Sequence, residues 1–157
     1  MDNLVRLLNS FWIWTQLPEE KWGNADLIDL GVDAVLFPLI GEICDECINL
    51  INQQLSPEEI NMFLMGLAID SEDEDILNEC KDCANDSFLY DIISEGVSHP
   101  QSEARWQLAE MLRRPIPQRD YFLKVLLSDT NLYVRKRANN VVRDLENSSA
   151  VGGFDAP

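Results

Sequence analysis

Apolar residues recur at three- and four-residue steps along almost the whole chain, and the strict alternation of a half-buried strand is nearly absent. Because a helix returns to the same face every 3.6 residues, this spacing predicts helices throughout. A first helix is predicted over 2–15, with Leu4, Leu7, Leu8, Phe11 and Trp14 on one side. A short second one follows over 18–30. A long third one over 33–54 carries Leu36, Ile40, Ile43, Cys47, Leu50 and Ile51. Ser56-Pro57-Glu58-Glu59 then fills every position of a capping box: a hydroxyl at the N-cap, proline in the first turn and a glutamate three residues on. Further helices are predicted over 72–84, 86–97, 100–114, 117–128 and 130–146. Asn85 or Asp86 can cap the 86–97 helix, and Pro100 and Pro117 suit first-turn positions. The end, 147–157, contains Ser148, Ser149, Gly152 and Gly153 and reads as a flexible tail.

The later helices form pairs that share one apolar pattern. In the first helix of each pair, Met62, Phe63, Gly66 and Leu67 align with Phe88, Leu89, Ile92 and Ile93, then with Tyr121, Phe122, Val125 and Leu126. In the second, Ile76 and Cys80 align with Ala104 and Leu108, then with Val134 and Ala138, at offsets of 28 and 30 residues. Three hairpins, 56–84, 86–114 and 117–146, therefore repeat. One such hairpin cannot bury its apolar face alone, whereas stacked hairpins can.

The stretch Asp129-Thr-Asn-Leu-Tyr-Val134-Arg135-Lys-Arg-Ala138 resembles the turn and second helix of a HEAT repeat of the short, roughly thirty-residue kind. His99 through Arg105 and Leu108 follows the same pattern with histidine in place of the aspartate. The first hairpin departs further, with Leu77 at the arginine position and Asp70 near the aspartate position. The resemblance covers 56–146 and implies that the aspartate caps the second helix and that the arginine pairs with acids of the neighbouring repeat. The expected fold is all-α: an α-α solenoid of about three HEAT-like hairpins in a single domain over 1–146. Residues 1–54 form a helical N-terminal cap or a degenerate repeat.

Charge adds a functional clue. The 157 residues carry 28 acidic and 12 basic side chains, a net of −16. Residues 1–104 hold 22 acids against Arg6, Lys21 and Lys81, while residues 105–157 hold nine basic and six acidic side chains. The first part is thus at −19 and the second at +3. A field of that sign repels nucleic acid and anionic membrane and steers basic partners. No apolar run is long enough to span a bilayer, and MDNLVRLLNSFWIW has an early acid and no small-residue cleavage site. The expected location is the cytoplasm, with reduced cysteines.

Candidate chemistry is sparse. Cys44-Asp-Glu-Cys47 and Cys80-Lys-Asp-Cys83 could in principle surround a zinc ion with four thiolates. Both pairs, however, lie inside helical patterns. Cys80 aligns with Leu108 and Ala138, and Cys83 with Met111 and Val141, so the repeat favours buried, metal-free cysteines in the core. Asp70-Ser-Glu72-Asp73-Glu74-Asp75 lacks the central glycine and terminal glutamate of a calcium loop; it reads as a solvated turn whose acids suit a helix N-terminus. His99, the one histidine, precedes Pro100 at a helix start and has a turn role. No nucleophile–histidine set, phosphate loop or cofactor motif is present, so a binding module is expected rather than an enzyme.

The expected partner is a basic protein, with Asp45, Glu46, Glu72, Asp73, Glu74, Asp75, Glu79 and Asp82 as the acidic docking group. Trp106 aligns with the polar Asn78 and Lys136 and so points away from the hairpin core. It is either an exposed interface anchor or packed under a neighbouring loop. The expected role is an immunity-type inhibitor that masks the cationic cleft of a basic toxin or nuclease; the alternative is a HEAT-like scaffold joining proteins in an assembly. Arg105, Arg113, Arg114, Arg119, Lys124, Arg135, Lys136, Arg137 and Arg143 read as inter-repeat ladders and solvated faces.

Overall fold

A computed structural model describes residues 1–151 of the chain, with side chains as far as Ser148. Among the described residues there are eight α-helices, two 3₁₀ turns and no strand. The helices are α1 (Asp2–Thr15), α2 (Ile40–Leu50), α3 (Pro57–Ile69), α4 (Asp75–Cys83), α5 (Asp86–Gly96), α6 (Ser102–Met111), α7 (Arg119–Leu127) and α8 (Leu132–Val151). None of them is long and apolar enough to cross a membrane.

The capping signals act as their chemistry requires. The Ser56 hydroxyl accepts from Glu59 N at 3.3 Å, while Glu59 Oε2 accepts from Ser56 N at 2.8 Å, which satisfies two otherwise orphaned amides of α3. Asn85 caps α5 by accepting from Phe88 N at 2.8 Å. The repeat register also holds: Ile76, Cys80, Ala104, Leu108, Val134 and Ala138 are all fully buried. In the first helices of the pairs, Phe63, Phe88, Leu89 and Phe122 are buried, but Tyr121 is 60% exposed.

The N-terminal third departs from the periodicity. No helix forms over 18–30; only a 3₁₀ turn, Glu19–Lys21, appears there. Gly23 lies directly beyond it at φ +66°, outside helical space, and a side chain at that position would also collide with Met65. The helix expected over 33–54 is broken as well. A 3₁₀ turn, Ala34–Leu36, is followed by extended Phe37, and α2 begins only at Ile40. Pro38 is the cause, since it lacks an N–H and biases the preceding residue away from helical space. Leu36 is consequently exposed, and on α1 it is Trp12, not Trp14, that enters the core. At the other end α8 passes Glu146 and continues to Val151, so the tail expected over 147–157 is helical that far. Its remainder, 152–157, lies outside the described residues.

Helix α6 is the centre of the packing. It contacts α3, α4, α5, α7 and α8, and only Arg105 of its ten residues is not buried. Helix α2 packs on α1, α3 and α4, which carries the core back to the N-terminus. Gln107 Nε2 donates to the Leu67 carbonyl of α3 at 2.6 Å and to the Glu103 carbonyl of its own helix at 3.1 Å, which links α6 to α3.

Candidate functional site

The irregular segment 24–34 lies over the first turn of α6. Asp26 accepts from Ser102 N with one carboxylate oxygen and from Asn131 Nδ2, at 3.4 Å, with the other. Asn131 Nδ2 also donates to Ser102 Oγ at 2.9 Å. Glu103 Oε1 accepts from Ile28 N at 3.1 Å. These bonds tie the segment to the starts of α6 and α8 and leave a hollow of about 300 Å³ between them. Leu27, Ala34, Trp106 and Glu103 are buried parts of its lining; Ile28, 78% exposed, Tyr133, 44% exposed, and Glu72 are its exposed parts.

Trp106 therefore does not project as an exposed anchor. It is 6% exposed and sits under the segment carrying Leu27 and Ile28. Tyr133 meets it edge-on at 5.5 Å, and the Arg137 guanidinium lies 4.4 Å from its ring centre. Arg137 is itself held by Glu74 at 3.1 Å and Glu110 at 3.2 Å. The Glu103 carboxyl is the electrostatic oddity of the hollow. Its Oε2 meets no hydrogen-bond donor among the described residues. Burial, reinforced by the neighbouring Asp26 carboxylate, pushes its pKa up to about 7.

The predicted acids divide into two groups. Glu72, Asp73, Asp75, Asp82 and Asp45 are exposed, on the turn before α4, on α4 and on α2. Glu46, Glu74 and Glu79 are half-buried; Glu46 accepts from Asn3 Nδ2 at 2.6 Å, and Glu74 belongs to Arg137. Helix α2, which carries Asp45 and Glu46, packs against α4. Asp70 is not part of this surface. It is 1% exposed and closes α4 by accepting from Ile76 N at 2.7 Å, with its pKa pushed up to about 6 by burial.

The basic residues of the last third are largely consumed. Arg105 pairs with Asp129, Arg113 with Glu110 and Asp144, Arg114 with Asp86, Arg119 with Asp120, and Arg137 with Glu74 and Glu110. One arrangement recurs. Arg105 Nη1 donates to the carbonyls of His99 and Pro100, and Arg135 Nη1, thirty residues on, donates to those of Asp129 and Thr130. Asp129 itself does not cap α8 as the resemblance implied. Asn131 does, accepting from Tyr133 N at 2.8 Å and Val134 N at 3.3 Å. The Asp129 carboxylate instead holds Arg105 with two bonds of 2.7 and 3.0 Å.

The cysteines do not assemble a four-sulfur site. Cys44, Cys47 and Cys80 are buried, and Cys47 packs directly on Gly66, where a methyl group would not fit. Cys83, expected in the core, is exposed at the end of α4, whereas Met111 and Val141, with which it aligns, are fully buried. Among the described residues the one group of three potential metal ligands that converges is Cys44, Asp70 and Asp75. Burial raises the Cys44 and Cys47 thiols, and pushes Cys80 up to about 12; a hydrogen bond with Glu79 raises Cys83. In the metal-free chain all four are thereby held away from the thiolate that nucleophilic attack needs.

Asp26, Ile28, Glu103 and Asn131 had no signature in the chain. Their contacts span 75 to 105 residues and belong to no motif. Comparison with known proteins gives no match to a family model, to a curated protein or to a solved structure.

Proposed function

We propose that the chain is an acidic protein-binding module of the immunity type, which captures a basic toxin or nuclease in the cytoplasm and covers its cationic cleft. The observation that carries this reading is a juxtaposition. The exposed, unshared acid Glu72, followed in the chain by exposed Asp73, lines the hollow, whose rim displays the apolar Ile28 and Tyr133. An apolar centre bordered by charge is the ordinary composition of a docking surface, and the excess of acid would steer a basic partner to it. Five of the seven arginines from Arg105 onward pair with acids, which supports the reading by reducing the basic surface open to an anion to Lys124, Lys136 and Arg143 as its exposed, unpaired cations among the described residues.

We also infer that 56–84, 86–114 and 117–146 stack as HEAT-like hairpins. The equivalent carbonyl clasps of Arg105 and Arg135, and the Arg105–Asp129 link between successive pairs, support this. A scaffold role remains the second reading, favoured by the groove of about 510 Å³ between α7 and α8, lined in part by Leu123, Leu127 and Val142.

The test is a capture from the native cell extract at low salt with the wild-type chain and with a Glu72→Lys/Asp73→Lys/Asp75→Lys variant. Association rates of the captured protein are then measured against salt. A basic partner whose association slows with salt and slows further in the variant supports the reading; equal rates for both chains would refute it.

A further inference from the structure

The hollow has features that a mere packing defect would lack. Its volume of about 300 Å³ lies at the lower end of ligand pockets. That is room for one amino-acid side chain and too little for a nucleotide cofactor. Its walls are apolar and aromatic, through Leu27, Ala34 and Trp106, but one wall ends in the Glu103 carboxyl, which is 7% exposed and has an oxygen without a donor. A buried carboxyl with an unmet acceptor costs free energy unless a donor arrives. Behind it lies the Asp26 carboxyl, already fixed by Ser102 N and Asn131.

We propose that the hollow is a receptor for a single arginine or lysine side chain of the basic partner, whose methylenes cover the apolar walls and whose cation meets Glu103. This rests on the capture reading above and names the contact at its centre. Charge selects a cation. The α6 amide that could attract an anion, Ser102 N–H, is taken by Asp26, and the remaining charged group of the rim, Glu72, is acidic. Arg137, against Trp106, is already balanced by Glu74 and Glu110. The apolar residues at the border of the hollow, Ile28 and Tyr133, are 78% and 44% exposed, a border suited to a protein surface rather than to a free metabolite.

Glu103 is held toward its protonated form, chiefly by burial and in lesser part by the Asp26 carboxylate beside it. Entry of the cation displaces that proton to solvent. No bond other than hydrogen bonds is made or broken. The groups facing Glu103 are Asp26 from the 24–34 segment, Glu72 from the turn before α4, and Asn131 and Tyr133 from the start of α8.

The experiment uses the full chain with Nα-acetyl-arginine methylamide as probe and the uncharged citrulline analogue as its control. Binding is followed by two-dimensional NMR at the Ile28 amide and the Trp106 indole. The arginine probe is expected to saturate both signals with a Kd on the order of 1 mM, in keeping with its size. One linked proton with a pKa near 7 makes binding roughly tenfold tighter at pH 8 than at pH 6. Glu103→Gln removes the binding and its pH dependence, and Tyr133→Ala, at an exposed position, weakens it. Equal binding of the citrulline analogue, pH-independent binding, or no shift at either reporter would each overturn the proposal. If Glu103→Gln fails to fold, the pH series and the Tyr133→Ala variant decide. Failure here with slowed partner capture by the Glu72/Asp73/Asp75 variant overturns the receptor alone; probe binding without any charge-dependent capture overturns the wider reading.

Discussion

Removing the Asp129 carboxylate should be among the more damaging single changes on the chain, although its position in a surface turn suggests otherwise. The pair is well enclosed, with side-chain exposures of 11% for Arg105 and 8% for Asp129. Two bonds of 2.7 and 3.0 Å form a fork, and Asp129 Oδ1 also accepts from Asn131 N at 2.8 Å. Asp129→Ala would leave a nearly buried guanidinium with only the His99 and Pro100 carbonyls, and Asn131 N without its acceptor. Loss of one partner from such a pair costs about 3 kcal/mol. For a chain of this size that is a fall in Tm of roughly 6–12 °C. Arg135 supplies the internal control. It makes the same two carbonyl bonds as Arg105 but has no carboxylate partner among the described residues, so Arg135→Ala should cost about 1 kcal/mol. Urea denaturation of Asp129→Ala, Arg105→Ala and the double variant gives the coupling, expected at about 1–3 kcal/mol. A single-variant loss below about 0.5 kcal/mol with additive double-variant behaviour would refute this account of the link between successive helical pairs.

Glu103 and Asp70, both raised by burial, bind protons more tightly in the fold than in the unfolded chain. Their stabilisation is present at low pH and is lost as pH rises, from about 4.5 to about 7 for Glu103. His99, buried and pushed down to about 4, acts oppositely between about 4 and 6.5, so the Glu103 contribution is isolated by subtracting the denaturation profile of Glu103→Gln; an unchanged profile contradicts the raised pKa. Val134→Asp puts an unpaired charge at a fully buried position and should cost about 4 kcal/mol or more, whereas Asn131→Ala should cost about 1–2 kcal/mol through the lost cap, both measured in urea. Alkylation of the folded chain at pH 9 should label Cys83 first and leave Cys44, Cys47 and Cys80 protected, as mass spectrometry can resolve; rapid labelling of all four would mean that α2 and α4 open readily.

The periodic positions were readable because each rests on local chemistry. The Ser56 box, the Asn85 cap and the six buried positions of the second helices depend on neighbours within a turn or on a thirty-residue echo. The N-terminal third was misread where backbone conformation overrides periodicity, at Gly23 and at Pro38. Trp106 shows the same limit from another side. Its polar equivalents, Asn78 and Lys136, suggested a position away from the core, yet Trp106 is buried with the core residues, beside a segment distant in sequence. Asp26 and Glu103 were hidden for that reason too: in a chain with 28 acids, nothing local separates a carboxylate that closes a hollow from one that faces water.

The walls of the hollow come from four stretches of chain, three of which are joined by hydrogen bonds that span 75, 76 and 105 residues. Loop closures of that length form late, after local helical pairs, because their entropy is lost before any contact offsets it. A species with its helices in place but with 24–34 undocked has no hollow at all. Whatever occupies the site therefore selects the completed fold over partly folded forms. At a hundredfold excess over Kd it would add about 2.7 kcal/mol to stability. The proposed binding surface would thus double as a checkpoint on assembly, and a partner, once engaged, would prolong the life of the chain by holding its least local segment shut.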